Sequence, residues 1–437
     1  MKYRVTVSQT ALNAILVYIC LSTAALSDSA ILHIVGILAL VVILIASNLN
    51  ESILLAVIFT PNLAIVTLSN TGIGLIGLVY LIAFFKCLII SKSKFRARPM
   101  IIVPFVYLSL VSLTRAAYGN IYDVFVICEV FIVIFTWNYI FDNAGQDLYK
   151  QIYCAYSFGC VLMMIGMLFN SLAISSSELS RRMAILDDAN FTSMAYIILF
   201  ASSLLAYSYK LEVEHPVVNI IISLIGGAAT GSRGFLVSLG VVVLVFALAG
   251  VINKKERKAT LLFGLIIIIV SILYFMGVEY VVDLYNNTIG RTINLSNSYS
   301  SGEFMDVTSG RMFLWKYYSN NILNNRNILL FGRGFHNYYL SQNGGYFGMS
   351  AHNSYIASII GVGLIGTVML FISYFSLWKD RLLVKHQKGS ISFISVFSGT
   401  AVGYFLLDGI LDLRLIMSIV MTLVMYRIYQ YESIRTS

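Results

Sequence analysis

Apolar runs close to the ~20 residues that a membrane-spanning helix needs recur along the whole chain. Short polar breaks separate them. The pattern predicts an all-α, polytopic integral membrane protein of twelve to fourteen transmembrane helices. The fullest reading places spans at roughly 11–27, 30–47, 52–69, 72–90, 100–117, 122–141, 151–170, 191–209, 217–230, 234–250, 259–277, 352–377, 391–408 and 414–430. Pro61 makes the third span weak, and the ninth is short. An open sheet is excluded, because lipid cannot satisfy edge backbone groups.

Four regions follow from this pattern. Residues 1–170 hold the N-terminal helices. Residues 171–277 hold central helices with arginine-bearing external turns. Residues 278–351 form one long external loop, and residues 352–437 hold the last helices and a cytoplasmic tail. Lys2 and Arg4 precede the first apolar stretch, which reads as a retained helix because no small-residue cleavage site is evident.

Composition agrees with a bilayer environment. The chain of 437 residues is 59% hydrophobic and 11% charged, with a mean hydropathy of +0.84, too few charges to wet a globular surface. The net charge of +9 would suggest nucleic acid only if its placement were ignored. With the N-terminus inside, the lysine-rich loops all fall on one side: Lys92, Lys94, Arg96 and Arg98; Lys150; Lys210; Lys254, Lys255, Arg257 and Lys258; Lys379, Arg381, Lys385 and Lys388. That is the positive-inside bias, and it puts both termini in the cytoplasm and excludes a nucleic-acid partner. The five cysteines, Cys20, Cys87, Cys128, Cys154 and Cys160, all lie in apolar runs and show neither a disulfide framework nor metal-ligand spacing.

The opposite side carries Arg115, Arg181, Arg182, Arg233, Arg291, Arg311, Lys316, Arg326, Arg333 and Arg414, which is nine arginines and one lysine. A topology signal is indifferent to the type of cation. An oxyanion site is not, because the guanidinium fork binds phosphate through two donors and keeps its charge. The competing reading is solvated loop arginines paired with Asp283, Glu303 or Asp306. The long loop is rich in Asn, Ser, Gly and Tyr, with Tyr317, Tyr318, Phe335, Tyr338, Tyr339 and Tyr346. This suits both a sugar-stacking groove and an ordinary interfacial loop.

Several segments could carry chemistry. Thr230-Gly231-Ser232-Arg233-Gly234 interrupts an apolar stretch too long for one span, so the chain should reverse there and hold Arg233 at the outer boundary. The bland alternative is a simple turn. Ser309-Gly310-Arg311 opens the amphipathic stretch Met312–Tyr318, and Arg311 falls where helical N–H groups also favour anions. Gly332-Arg333-Gly334 precedes His352-Asn353-Ser354-Tyr355, where the chain re-enters the membrane ahead of Gly361, Gly363 and Gly366. His352 is either a general base or a structural histidine. Asp187 and Asp188 suggest either a metal or an N-cap for the helix starting near Phe191. Asp408, Asp412 and Arg414 could pair with one another, and Glu129 sits mid-span with no partner that the sequence names.

The order Arg182 … Asn190, Thr230-Gly231-Ser232-Arg233-Gly234, Gly310-Arg311, the long loop and His352-Asn353-Ser354-Tyr355 resembles the O-antigen ligase/polymerase family over roughly residues 175–420. The resemblance implies action on undecaprenyl-diphosphate-linked glycans at the external face of the bacterial inner membrane. It implies that Arg233 and Arg311 hold the lipid diphosphate and that His352 is the base, with no cofactor or metal. Arg182, Arg181, Arg333, Asn353, Tyr355 and Arg414 are the expected substrate-binding residues. The expected partners are the lipid-linked glycans and the bilayer, with a chain-length regulator and a flippase as further candidates. Polymerases and ligases share these motifs. The expected activity is repeat-unit polymerisation by an inverting membrane glycosyltransferase. The alternatives are ligation of the glycan to lipid A–core and, from another class, a lipid-linked oligosaccharide flippase. The flippase would call for interrupted helices in matching halves, which the sequence does not display.

Overall fold

The computed structural model describes residues 2–66, 76–91, 98–116, 121–173, 185, 187–252, 264, 282, 311–334, 352–382, 390–404 and 412–436. All regular structure among these residues is helical. The helices are α1 (Lys2–Leu26), α2 (Ala30–Ala46), α3 (Leu49–Phe59), α4 (Ile76–Ser91), α5 (Pro99–Ala116), α6 (Ile121–Asn143), α7 (Gln146–Ala173), α8 (Ala189–Tyr209), α9 (Pro216–Ala229) and α10 (Arg233–Ile252). After the long loop begins come α11 (Arg311–Asn324) and α12 (Arg326–Phe331), then α13 (Ser354–Leu382), α14 (Ser390–Tyr404) and α15 (Leu413–Thr436). Seven helices are long and apolar enough to cross a membrane, and five shorter apolar ones accompany them among the described residues. The chain is a multi-pass α-helical membrane protein. The expected span at 259–277 lies outside the described residues.

The bundle has two distinguishable ends. At one end Lys150 Nζ pairs with Glu212 at 2.8 Å and with Glu432 at 3.1 Å, and Arg98 pairs with Asp142 at 3.3 Å. These contacts gather the starts of α5 and α7 with the ends of α6, α8 and α15. At the other end Asp187 pairs with Arg414 and Asn190 meets Ser232, which gathers the starts of α8, α10 and α15. The helices therefore alternate in direction as the loop charges require.

Helix α8 runs through the middle and is buried along almost its whole length. Polar side chains bind its neighbours to it. Tyr153 of α7 bonds Ser203 of α8 at 2.9 Å and accepts from Asn219 of α9 at 3.0 Å, while Ser157 donates to Asn219 at 2.6 Å. In hydrocarbon such bonds contribute on the order of 1 kcal/mol each, because apolar burial does not distinguish a helix from lipid.

The third span departs from a plain helix. α3 ends at Phe59 and continues as a 3₁₀ stretch, Thr60–Val66, with Asn62 outside helical geometry. Pro61 lacks the N–H an α-helix needs there. Asn62 Nδ2 donates to Gly159 O of α7 at 2.9 Å, so the break is fastened to its neighbour. Lys86 of α4 donates to the carbonyls of Leu44 and Ser47, closing the C-terminal end of α2. Glu129 of α6, which had no partner in the sequence reading, accepts the backbone N–H of Gly77 at the start of α4.

A second departure lies at α13. Gly363 (φ +75°) interrupts this helix, a break that the sequence reading took only for close packing. The loop after α12 packs onto it. Arg333 N donates to Ile360 O at 2.7 Å, and Gly334 N donates to Gly361 O at 2.9 Å. Thr367 Oγ1 donates to Gly363 O at 2.8 Å and also bonds Ser358 Oγ at 2.8 Å. The carbonyls released by the break are thus satisfied within the protein, as a membrane helix requires.

Both glycines at this crossing are obligatory. A Cβ on Gly332 (φ +70°) would lie 2.5 Å from Gly363 N and 2.6 Å from Gly361 O. A Cβ on Gly363 would collide with the Leu330 carbonyl. Gly363→Ala is expected to lower stability by at least about 1–3 kcal/mol, the range for a forced backbone conformation. Thermal unfolding of the purified protein in detergent measures this, and an unchanged midpoint would refute the interlock.

Candidate functional site

Three segments lie at the end of the bundle opposite Lys150. The first is the turn between α9 and α10. Ser232 caps α10: its Oγ accepts from Phe235 N at 3.3 Å. The same Oγ donates to Asn190 Oδ1 at 2.8 Å, so α8 fixes the cap. Arg233 is the first residue of α10 and is partly exposed. The chain reverses at Gly231–Ser232, as the interrupted apolar stretch predicts.

The second segment is the α11–α12 unit. Leu314, Tyr318 and Ile322 recur at every fourth position along one face of α11. They are buried against Ala357 and Ile360 of α13. This is the amphipathic helix expected after Arg311, which is its first residue. Arg333 follows α12 and is held by its backbone at the break in α13.

The third segment is the start of α13. Asn353 caps this helix, accepting from Tyr355 N at 3.0 Å and Ile356 N at 3.1 Å. His352 stands immediately before the cap, exposed, with φ +47°. A non-glycine residue in this region is uncommon and is held only where its surroundings impose it. Here it directly precedes the Asn353 cap. Tyr355 turns inward, and its hydroxyl donates to Ala401 O of α14 at 2.8 Å.

These segments are joined through α14. Ala401 receives Tyr355, and two residues on, a Cβ on Gly403 would lie 2.7 Å from Ser238 Oγ of α10. α14 therefore links the helix that Arg233 starts to the helix that His352 precedes. Arg233, Arg311, Arg333, His352, Asn353 and Tyr355 all fall at this one end. Arg181 and Arg182 lie outside the described residues, as do Phe335, His336 and the remaining loop aromatics beyond residue 334.

Arg414 has a different setting. It is 2% exposed and its Nη2 is 2.9 Å from Asp187 Oδ2. Its Nε is 3.8 Å from Asp412 Oδ1, and its guanidinium carbon lies 5.3 Å from the centre of the Phe191 ring. Burial raises the Asp187 carboxyl above its ordinary pKa, and the Arg414 guanidinium opposes that rise. Asp188 takes the capping role, accepting from Asn190 N at 2.7 Å. The two aspartates are thus divided between an ion pair and a helix cap. The sequence offered Asp187 as a capping or metal residue and Asp408 and Asp412 as partners for Arg414. It gave no sign that Asp187, more than two hundred positions away, lies closer to the guanidinium than Asp412; Asp408 is outside the described residues.

Residues 218–371 match the family model described as O-antigen ligase. No curated protein matches the chain. The matched stretch carries Arg233, Arg311, Arg333, His352, Asn353 and Tyr355, and it leaves out Arg181, Arg182 and Arg414. It is narrower than the 175–420 span of the motif resemblance, and it supports the O-antigen ligase/polymerase family that those motifs pointed to. The match supports a function of the O-antigen ligase/polymerase type, a membrane glycosyltransferase-like class, over that segment.

The cap at Asn353 is open to test. Asn353→Ala should lower stability by about 1 kcal/mol, and Asn353→Asp should restore most of it, since aspartate caps equally well. Denaturation midpoints of the two variants in detergent give the comparison.

Proposed function

We propose that this chain polymerises oligosaccharide repeat units carried on undecaprenyl diphosphate, at the extracytoplasmic face of the bacterial inner membrane. The observation that supports this most is the arrangement of the matched segment. Its arginines Arg233, Arg311 and Arg333 and its one histidine at a helix mouth, His352, lie at the same end of the bundle. Both termini lie at the other, lysine-bearing end, on the cytoplasmic side in this reading.

The reaction is a single displacement. The acceptor hydroxyl oxygen attacks the anomeric carbon of the donor sugar. A new glycosidic bond forms as the bond from that carbon to the diphosphate oxygen breaks. His352 takes the hydroxyl proton, a contribution of typically 10²–10⁴ in rate. Undecaprenyl diphosphate leaves with both phosphates and the bonding electron pair. Arg233 and Arg311 neutralise the charge that grows on it, with Arg333, Arg182 and Arg181 as further donors to the diphosphate. Fixed charges of this kind often supply the largest catalytic term. One displacement inverts the anomeric centre, and the arginines take the charge-stabilising role without a metal. Asn353 and Tyr355 set the mouth of α13 beneath the sugar.

The ligase reading has one observation in its favour, the description of the matching family. In it the acceptor is lipid A–core in place of a second lipid-linked repeat. A polysaccharide gel of a deletion strain separates the two. A single repeat unit on the final lipid identifies a polymerase, and long polymer stranded on the carrier identifies a ligase. The family match does not favour transport.

Two substitutions test the chemistry. Arg233→Lys keeps the charge and loses the two-pronged geometry, so polymer yield should fall much further than protein abundance. Wild-type yield in that variant would exclude bidentate diphosphate binding. His352→Ala should reduce turnover by about 10²–10⁴ with donor binding largely kept. A normal glycan profile in that strain would remove His352 from the mechanism.

A further inference from the structure

We infer that Arg414 is a positioning residue for Arg233, acting from inside the bundle without touching the donor. The inference rests on the reading above, in which Arg233 meets the diphosphate.

The path can be followed bond by bond. Arg414 is the second residue of α15, where its own N–H donates to Asp412 Oδ1 at 2.7 Å. Its guanidinium reaches Asp187 at 2.9 Å, and the two side chains are 3% and 7% exposed. It also covers the face of Phe191, whose ring lies 6.2 Å from that of Tyr404 on α14. Three helices, α8, α14 and α15, are thereby pinned at one point.

From Asp187 the order passes along the chain. Asp188 caps α8, and Asn190, two residues on, accepts from Ser232 Oγ at 2.8 Å. Ser232 caps α10, and the next residue is Arg233. The guanidinium of Arg414 is closed in behind Phe191. What it fixes is the height and rotation of the α8 start, and with them the cap from which Arg233 projects. A buried ion pair contributes little net stability against an apolar substitute, but it holds one geometry strongly once both charges are present. A site that must bring a charge to a diphosphate within tenths of an ångström uses that property. A misplacement of about 1 Å can cost on the order of 10²-fold in rate.

The test combines Arg414→Lys, which keeps the charge, with Asn190→Ala, which cuts the last link and leaves the Arg414–Asp187 pair in place. In reconstituted extension assays each single variant should lose on the order of 10²-fold. The double variant should lose no more than the stronger single, because both act through one path. Multiplied losses would overturn the inference and give Arg414 an independent contact with the donor.

A second readout needs no catalysis. The labelling rate of Arg233→Cys by a membrane-impermeant maleimide should change several-fold when either substitution is added. An unchanged rate, in protein that elutes as a folded species, would also overturn the inference. An inactive wild-type assay would count against the proposed reaction, whereas the labelling result bears on the path alone.

Discussion

A peptide group inside hydrocarbon has no water to bond, so every irregularity in a spanning helix needs a partner supplied by the protein. The architecture of this chain depends on how it meets that demand at Gly363. The break in α13 frees the carbonyls of Ile360 and Gly361, and the backbone of Arg333 and Gly334 takes them. Two glycines with no room for a Cβ allow the approach. The external helices α11 and α12 are attached to the transmembrane bundle through this junction, and Arg311 and His352 become parts of one assembly. The same demand is met elsewhere by Asn62 on Gly159, by Lys86 on the end of α2 and by Glu129 at the start of α4.

The site is built from helix beginnings. Arg233, Arg311 and His352 each stand at or just before the first turn of a helix, where the positive end of the helix dipole adds to the attraction for an anion. The arginines bring charge, and the helix ends bring oriented dipoles. Four helices, α8, α10, α14 and α15, hold these beginnings in relation to one another. The arrangement fixes these helix beginnings where the arginines stand.

Hydropathy made most of the fold legible, because the ~20-residue apolar run reports directly on bilayer thickness. The expected span at 191–209 corresponds to Ala189–Tyr209, and that at 217–230 to Pro216–Ala229. The reversal at Ser232 was legible from the length of the run it divides. The break at Gly363 was not. Ile356–Phe371 is apolar apart from Ser358 and Thr367, and what opens it is a loop some thirty positions earlier that must approach through Gly332. Hydropathy carries no record of such a pairing. The residue types of the candidate site were legible, and the described ones share one end of the bundle. The partner of Arg414 was not, because the sequence offered the nearby Asp408 and Asp412, and only folding brings in Asp187. Glu129 likewise needed a three-dimensional neighbour, a backbone N–H that has no sequence signature.

The junction at Gly332–Gly334 has one more consequence. It grips through main-chain atoms, so the attachment does not depend on the identity of nearby side chains, glycine apart. Substitutions that spare Gly332, Gly334, Gly361 and Gly363 can therefore change the side chains nearby without loosening the mount. A membrane frame of this kind works as a fixed socket, set by the main chain and indifferent to most of the side chains around it.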